Sequence, residues 1–308
     1  MNLQQLRFVR EAVRNGFSLT QAAQGLGTSQ PALSRGILEL EAELGVDVFV
    51  RHGKRMIGLT DPGKAILQRA ERVLAEVSGI ERVASDFRAR DAGELRIATT
   101  HTQARYLLPT VIREFRKRYP AVRLSLLQGS PKQIATQVVS READFAVATE
   151  VPEDVPDLVL IPSIEWQHVV LVPAGHPLAA ADMTLQRLAE FPLVTYVEEF
   201  AGRRRIDRAF AQAGLEPDVV LSAIDSDVIK TYVSLGMGVG IMAAMAYDIQ
   251  RDKGLVAIPV GHLFGINRVR LAVHKAAYLR GFAIAFIELL APNAERAIIE
   301  SLRNAGTA

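Results

Sequence analysis

Five consecutive hydrogen-bonding side chains, Thr-Thr-His-Thr-Gln at 99–103, are the first candidates for chemistry in this sequence. They follow an alternating segment containing Leu95 and Ile97, which predicts a strand, and they precede apolar residues at helical spacing. Such a junction exposes backbone N–H groups and the positive end of a helix dipole, which attract anions. The cluster holds no carboxylate or lysine, so it suits an anion held by neutral donors. An ordinary helix cap is the alternative.

Other small polar groups also follow predicted strands. Gly129-Ser130 precedes a predicted helix, Thr149 ends a predicted strand, and Gly202-Arg203 opens a later helix. Ligands of parallel sheets bind beyond the carboxyl ends of the strands, where helix N-termini converge. We therefore expect one pocket for a small anion or an acylated amino acid, with Thr99 and His101 facing away from it. Trp166, the only tryptophan, is interpreted as a wall of this pocket or as a core aromatic.

Composition limits the class of protein. The 308 residues are 49% hydrophobic, enough for two or three folded domains. No run approaches the ~18 apolar residues of a spanning helix, and the charged N-terminus does not resemble a signal peptide, so we expect a cytoplasmic protein without a membrane partner. The absence of cysteine excludes disulfides and thiolate chemistry. A net charge of +2 means that any nucleic-acid surface is local.

The first 45 residues predict a helix-turn-helix. A first helix ends at Asn15-Gly16, a short second one begins at Ser18 with Gln21 as capping-box partner, and a longer third one begins at Thr28 or Ser29. In this motif the start of the last helix reaches base edges in the major groove. The back half of the third helix holds Glu39, Glu41 and Glu43, which phosphates would repel, so its N-terminal end is predicted to face the DNA. An ordinary three-helix bundle is the alternative.

A basic hairpin and a long helix follow. The segment 47–60 predicts two short strands around His52-Gly53, a wing that can touch phosphate. The predicted DNA-binding residues of helix and wing are Thr28, Ser29, Gln30, Pro31, Ser34, Arg35, Arg51, Lys54 and Arg55. From Thr60 to Arg90, apolar residues recur every 3.5 positions, as in a coiled-coil seam. The seam residues are Ile66, Ala70, Val73, Val77, Ile80, Ala84 and Phe87. Dimerisation is the prediction, and packing on its own domain is the alternative.

After Gly93, predicted strands and helices alternate, which indicates an α/β fold with mainly parallel sheet. We predict strands at 94–100, 122–128, 144–149, 158–162, 168–172, 193–196, 219–223, 238–242 and 268–274. Predicted helices cover 105–118, 131–142, 185–190, 203–213 and 226–235, and a helical tail starts at Tyr278. The predicted domains are a winged helix-turn-helix at 1–59, a linker or dimerisation helix at 60–92 and an effector-binding domain at 93–308.

The segment from Leu19 to Gly63 resembles the DNA-binding region of LysR-type transcriptional regulators. It carries their Ala-Ala, Ser-Gln-Pro-x-x-Ser, Leu-Glu, Leu-Gly and Leu-Thr-x-x-Gly pattern. "MNLQQLRFVREAV" and "FVRHGKRMIGLTDPGK" are similar to the CysB branch, whose members regulate sulfur assimilation. The resemblance implies a two-lobed effector domain like periplasmic binding proteins, with lobe I at 93–163 and 267–308 and lobe II at 164–266. We place the crossings near 162–165 and 264–268.

The resemblance also implies a sulfate-type pocket and two departures from the family pattern. The effector-binding positions are Thr100, Thr102, Gln103, Gly129, Ser130, Thr149, Trp166, Ala201, Gly202 and Arg203, and all but Ala201 fit the pattern of the branch. Ala201 stands where the branch usually has threonine, so one hydroxyl donor is missing. Gly36 stands where the family usually has a larger, often polar residue, so a base contact is expected to be missing.

Expected partners are double-stranded operator DNA and a homo-oligomer (dimer or tetramer), with RNA polymerase as a further candidate. The expected effector is sulfate, thiosulfate, O-acetylserine or adenosine phosphosulfate.

No cofactor, metal or enzymatic activity is expected. The six histidines have neither ligand spacing nor acidic neighbours along the sequence. "GMGVGIM" at 236–242 lacks the third glycine of a dinucleotide fingerprint, and no catalytic motif is present. A solute-binding protein for a small anion is one alternative, although it leaves the helix-turn-helix unexplained. A LysR-type regulator of an unrelated pathway is the other.

Overall fold

The computed structural model describes residues 1–53, 55–88, 91–180, 182–200, 202–295 and 298–300. The chain forms two compact units, Met1–Arg82 and Val83–Ala308. No helix in the described ranges combines the length and apolar content needed to cross a membrane.

The first unit opens with three helices, α1 (Leu3–Arg14), α2 (Leu19–Gly25) and α3 (Gln30–Leu44). Helix α1 begins with a capping box in which Asn2 and Gln5 bond reciprocally, and the Ser29 hydroxyl accepts from the backbone of Ala32 at the start of α3. The capping box predicted for α2 is wrong, because Ser18 makes no side-chain cap bond. Gly45 ends α3 in the left-handed region at φ 69°.

Gly36 lies on the buried face of α3, against helix α1. A Cβ atom on this glycine would lie 2.7 Å from Cδ2 and Cε2 of the buried Phe8 ring. The glycine therefore allows the two helices to approach closely. The prediction that Gly36 removes a base contact is wrong, since its missing side chain would point into the core.

Gly36→Ala is expected to destabilise the first unit. Alanine improves helix propensity by up to ~1 kcal/mol, but overpacking against Phe8 costs about 1–3 kcal/mol. Hydrogen exchange of α1 and α3 peptides in the full chain measures the balance. The control is Gly79→Ala, a helical position where an added Cβ would have nothing within 4 Å and protection should rise. Increased protection in both variants would contradict the proposed role of Phe8.

The wing follows as an antiparallel hairpin of β1 (Phe49–His52) and β2 (Arg55–Leu59). The long helix α4 (Asp61–Arg88) comes next, and the boundary between the units falls within it. At its start, the Thr60 hydroxyl accepts from the Gly63 amide at 2.9 Å. The Leu-Thr-x-x-Gly motif is therefore a helix start.

Beyond the end of α4, the described residues of the second unit include ten strands and seven α-helices. The strands are β3 (Gly93–Thr99), β4 (Val122–Gln128), β5 (Phe145–Ala148), β6 (Leu158–Trp166), β7 (His168–Pro173), β8 (Leu193–Tyr196), β9 (Val219–Ala223), β10 (Val239–Ala243), β11 (Leu255–Pro259) and β12 (Asn267–His274). The helices are α5 (Leu108–Arg118), α6 (Pro131–Val139), α7 (Leu185–Ala189), α8 (Arg203–Gln212), α9 (Ser226–Ser234), α10 (Gly261–Phe264) and α11 (Gly281–Leu290).

These strands form two five-stranded sheets, one in each lobe. The sheet of lobe I has the order β4-β3-β5-β12-β6, and that of lobe II has the order β11-β7-β10-β8-β9. Four strand pairs are parallel and four antiparallel, so the prediction of mainly parallel sheet is wrong. The antiparallel pairs all involve β7 or β12, the strands that enter each sheet directly from the other lobe. The edge strand β11 was not predicted.

The chain crosses between the lobes at two adjacent points. Strand β6 continues in the first sheet as far as Trp166, where it pairs with Asn267 of β12. The first crossing therefore lies at Gln167, just beyond the predicted 162–165. The second lies immediately before β12, within the predicted 264–268. Because Trp166 and Asn267 are paired, both crossings form a single two-stranded hinge.

Candidate anion site and DNA-binding surface

Three strand ends meet at one edge of the lobe I sheet. Strand β3 pairs in parallel with β4 on one side and β5 on the other, so their carboxyl ends lie side by side. This brings the 99–103 cluster next to Gly129 and Thr149, as the sequence predicts. The Gly129 amide donates to the Thr99 carbonyl at 3.2 Å. Thr99 itself is fully buried and its hydroxyl donates to the Val147 carbonyl at 2.8 Å, within the sheet.

A chain of side-chain hydrogen bonds runs through the cluster to Thr149. The Thr100 hydroxyl donates to Oε1 of Gln103, and Nε2 of Gln103 donates to Oγ1 of Thr149 at 3.2 Å. From the hinge, Nε1 of Trp166 donates to the same Oγ1 at 3.0 Å. Gln103 is only 1% exposed and begins a π-helical turn, Gln103–Leu107, that the sequence did not predict. Such turns frequently occur at functional sites.

This arrangement leaves Thr149 as a donor. Its oxygen has two lone pairs, and both accept from an N–H, so only its O–H can serve a further partner. No described residue accepts that proton. One of these two bonds comes from the Gln103 amide, whose oxygen accepts from Thr100, and such a chain strengthens the terminal hydroxyl as a donor. The Thr100 hydroxyl, by contrast, already donates its proton to Oε1 of Gln103.

Two further hydroxyls follow the ends of β3 and β4. Thr102 is 3% exposed and makes no side-chain bond to any residue in the described ranges. Ser130 caps α6, where its hydroxyl oxygen accepts from the Gln133 amide and its own amide donates to the Gln133 side chain. The backbone amides of Gly129 and Ser130 are thus used inside the protein, and only the O–H of Ser130 stays available.

Gly202 brings lobe II to the same place. It precedes α8 with φ +74°, and a Cβ on it would lie 2.5 Å from Oδ1 of Asn267 and 2.8 Å from Cε1 of His168. Its amide donates to the carboxylate of Glu150 in lobe I. The side chain of Arg203 bonds the Tyr196 carbonyl and Asp207. Ala201 lies outside the described residues.

The sequence did not identify Glu150, His168 or Asn267 as part of this region. His168 and Asn267 are buried at the hinge and are hydrogen-bonded to each other at 3.3 Å. The His168 ring packs edge-on against Trp166 with centroids 4.9 Å apart. Glu150 was missed because only neutral donors were considered for an anion pocket. Its position directly after Thr149 could have indicated that it lies in this region.

A second contact between the lobes centres on Asp227 of α9. Its carboxylate accepts from the Tyr106 hydroxyl at 2.8 Å and pairs with Arg105 at 2.5 Å and Lys230 at 3.4 Å. Partial burial alone would raise the pKa of Asp227, but the Tyr106 bond and these two cations outweigh it and hold the pKa below its ordinary value. The carboxylate therefore stays ionised and ties the lobes together across the cleft.

His101 has acidic neighbours that sequence separation concealed. Ligand atoms of His101, Asp225 and Asp227 lie within 4.8 Å of one another. Asp225 caps α9 by accepting from the Val228 amide, and Asp227 is held by two cations and a tyrosine. These bonds already use the carboxylates, so the arrangement is explained by lobe contact without an ion.

In the first unit, the predicted reading end of α3 is exposed. Gln30, Pro31 and Arg35 are exposed on the first turns of the helix, while Thr28 and Ser34 are half-buried. The Ser29 hydroxyl is engaged in the helix cap. Exposed amide and guanidinium groups at this end of the helix can reach bases or phosphates.

The wing has one engaged and one exposed arginine. Arg51 pairs with Glu41, which is buried on α3 and also accepts from the amides of Val48 and Phe49 at 2.8 and 3.1 Å. Glu41 therefore joins α3 to the wing, whereas the sequence indicated an acidic side chain that phosphates would repel. Arg55 is exposed on β2. Lys54 lies outside the described residues.

The predicted seam of α4 has both buried and exposed members. Ala70 is buried in the first unit, whereas Val73 is 44% and Ile80 is 70% exposed. The side chain of Phe87 lies outside the described set. Exposed apolar residues at coiled-coil spacing favour a partner helix.

Comparisons with known proteins agree with this architecture. The family model "Bacterial regulatory helix-turn-helix protein, lysR family" matches residues 3–64, and "LysR substrate binding domain" matches residues 88–295. The HTH-type transcriptional regulator CysB of Burkholderia cenocepacia is 56% identical over 97% of this chain and 96% of its own length. The regulator SsuR of the same organism is 54% identical over 98% of each chain.

A solved structure supports the assignment of the second unit. The crystal structure of the cofactor-binding domain of the Cbl transcriptional regulator is 44% identical in sequence. It matches with a TM-score of 0.66 over 69% of this chain and 92% of that domain. The chain therefore belongs to the lysR family of bacterial regulatory helix-turn-helix proteins.

Proposed function

We propose that this protein is a LysR-type transcriptional regulator of sulfur metabolism that binds operator DNA through its first unit and a small oxyanion in the cleft of its second. The relatives named CysB and SsuR and the resemblance to the CysB branch support the pathway. The doubly accepting Thr149 is the observation that carries the ligand class, because its remaining O–H requires an acceptor.

Sulfate and thiosulfate suit this position. Both are fully ionised at neutral pH and offer only acceptors, which match the unclaimed hydroxyls of Thr102, Ser130 and Thr149. O-acetylserine through its carboxylate, and adenosine phosphosulfate through its phosphosulfate group, present the same chemistry over part of their surface. An effector regulates by binding one conformation better than another, so the cleft must differ between two states of the assembly.

DNA recognition is assigned to Gln30, Ser34 and Arg35 on α3, with Arg55 and Lys54 at the wing. Dimerisation is assigned to the exposed seam of α4, which would place two recognition helices on two half-sites. Dimer and tetramer are both compatible with this seam.

Two measurements on the full chain test the proposal. Selection from a random duplex pool should recover a two-fold-related site, and Arg35→Ala should reduce the affinity for it at fixed salt by about 1–3 kcal/mol. Arg113→Ala removes the same charge from an exposed position on α5 and should leave the affinity unchanged. Sulfate or thiosulfate should change Trp166 fluorescence and the DNA affinity together. Failure to select any site would refute the DNA role, and the absence of an anion response would refute the effector role.

A further inference from the structure

Glu150 places a negative charge beside the predicted anion donors. It directly follows Thr149 in the loop after β5, and its carboxylate accepts the Gly202 amide proton. Thr149 and Glu150 belong to lobe I, and Gly202 belongs to lobe II. This hydrogen bond therefore joins the two walls of the cleft at the residue that follows Thr149.

The Gly202 amide is the kind of group that holds anions. It precedes the ten-residue helix α8, which has no side-chain cap at this end. A backbone N–H at a helix N-terminus favours negative charge. Asn267 and His168 leave no room for a side chain at position 202, so this residue must be glycine. Its backbone amide is therefore not covered by a side chain of its own. Within the protein, the Glu150 carboxylate is the anion at this position.

Independent donors point to a ligand in the same region. Thr102 is only 3% exposed and has no side-chain partner among the described residues, and the Thr149 O–H has no acceptor there either. An oxyanion that accepts the Thr149 proton is bound by the residue that directly precedes Glu150 in the chain. Two anions compete for the Gly202 amide and repel each other at short range.

We propose that Glu150 is an internal competitor of the effector anion. Its carboxylate lowers the affinity of the cleft for anions and favours effectors that carry less negative charge. The inference rests on the proposed function, in which the cleft binds an oxyanion. Effector binding then displaces the Glu150 carboxylate from the Gly202 amide. The lobes lose the Glu150–Gly202 hydrogen bond and are joined instead through the bound anion. An effector with two negative charges is penalised more than one with a single charge.

The test compares the full chain with Glu150→Gln. Glutamine keeps an oxygen that accepts from the Gly202 amide but carries no charge. Kd values for sulfate and methanesulfonate are measured by Trp166 fluorescence and calorimetry at constant ionic strength. The sulfate Kd is expected to fall by about tenfold or more. The methanesulfonate Kd should fall by a smaller factor, because this anion has one charge.

Controls separate this role from other effects of the substitution. Glu153→Gln removes the same charge three residues further on, where the glutamate pairs with Arg270 at the surface, and should leave both Kd values unchanged. Glu150→Ala, which also lacks the acceptor, should likewise bind sulfate more tightly. If wild type binds sulfate and Glu150→Gln binds it equally or more weakly, the competitor role is overturned. If no variant binds any of the anions, the proposed function fails and this inference fails with it.

Discussion

Thr149→Val is expected to weaken anion binding by roughly 10- to 100-fold, which corresponds to one lost charge-assisted hydrogen bond. Valine matches the shape of threonine but removes the terminal donor. It also leaves Nε1 of Trp166 and Nε2 of Gln103, both in a largely buried setting, without their acceptor. Calorimetry with sulfate and thiosulfate measures the loss, and the Trp166 emission of the free protein should change as well.

Two variants make this result specific. Thr149→Ser keeps the hydroxyl and should retain most of the affinity. Thr99→Val removes a buried hydroxyl on the neighbouring strand β3, whose partner is the Val147 carbonyl. It should lower stability without changing the anion Kd. Equal loss of affinity in Thr99→Val and Thr149→Val would mean that general destabilisation, and not the donor, explains the effect.

Gly63→Ala is expected to destabilise the first unit by about 3 kcal/mol or more, at the upper end for overpacking. A Cβ at this position would lie 2.0 Å from the backbone oxygen of Val48. That oxygen already accepts from the Thr60 amide at 3.0 Å and the Thr60 hydroxyl at 3.2 Å. It cannot retreat without breaking the bonds that join the wing to the start of α4.

Hydrogen exchange of wing and α4 peptides in the full chain reports this change. Gly25→Ala provides the matched control in the same unit, since nothing lies within 4 Å of a Cβ at that position. It should be neutral or slightly stabilising. Unchanged protection in Gly63→Ala would show that the wing can shift to make room, contrary to the constraint described here.

The sequence was sufficient for features that depend on local pattern. The first helices, the wing and the strand ends carrying Thr100, Gly129 and Thr149 follow from periodicity and from the rule that parallel strands share an edge. It was not sufficient for partners that meet across long separations. The spacing of apolar residues along α3 could not show that Gly36 faces Phe8, because glycine has no side chain to contribute to that pattern.

Charged residues were the most difficult to interpret. Glu41 reads as part of an acidic surface, yet it is buried because three donors from the wing converge on it. Asp227 and His101 lie more than 120 residues apart and meet only because the lobes face each other. Strand β11 was missed because it is a short edge strand with weak alternation, and pairing with β7 stabilises it.

The bonds of Glu41 also affect how this regulator could be re-engineered. Because a carboxylate on the recognition helix holds the backbone of the wing strand and Arg51, helix and wing form a single exchangeable part. A chimera that replaces only residues 30–44 with a helix lacking this carboxylate would leave Arg51 and the amides of Val48 and Phe49 without their acceptor. Transfer of DNA specificity therefore requires residues 30–59 as one cassette.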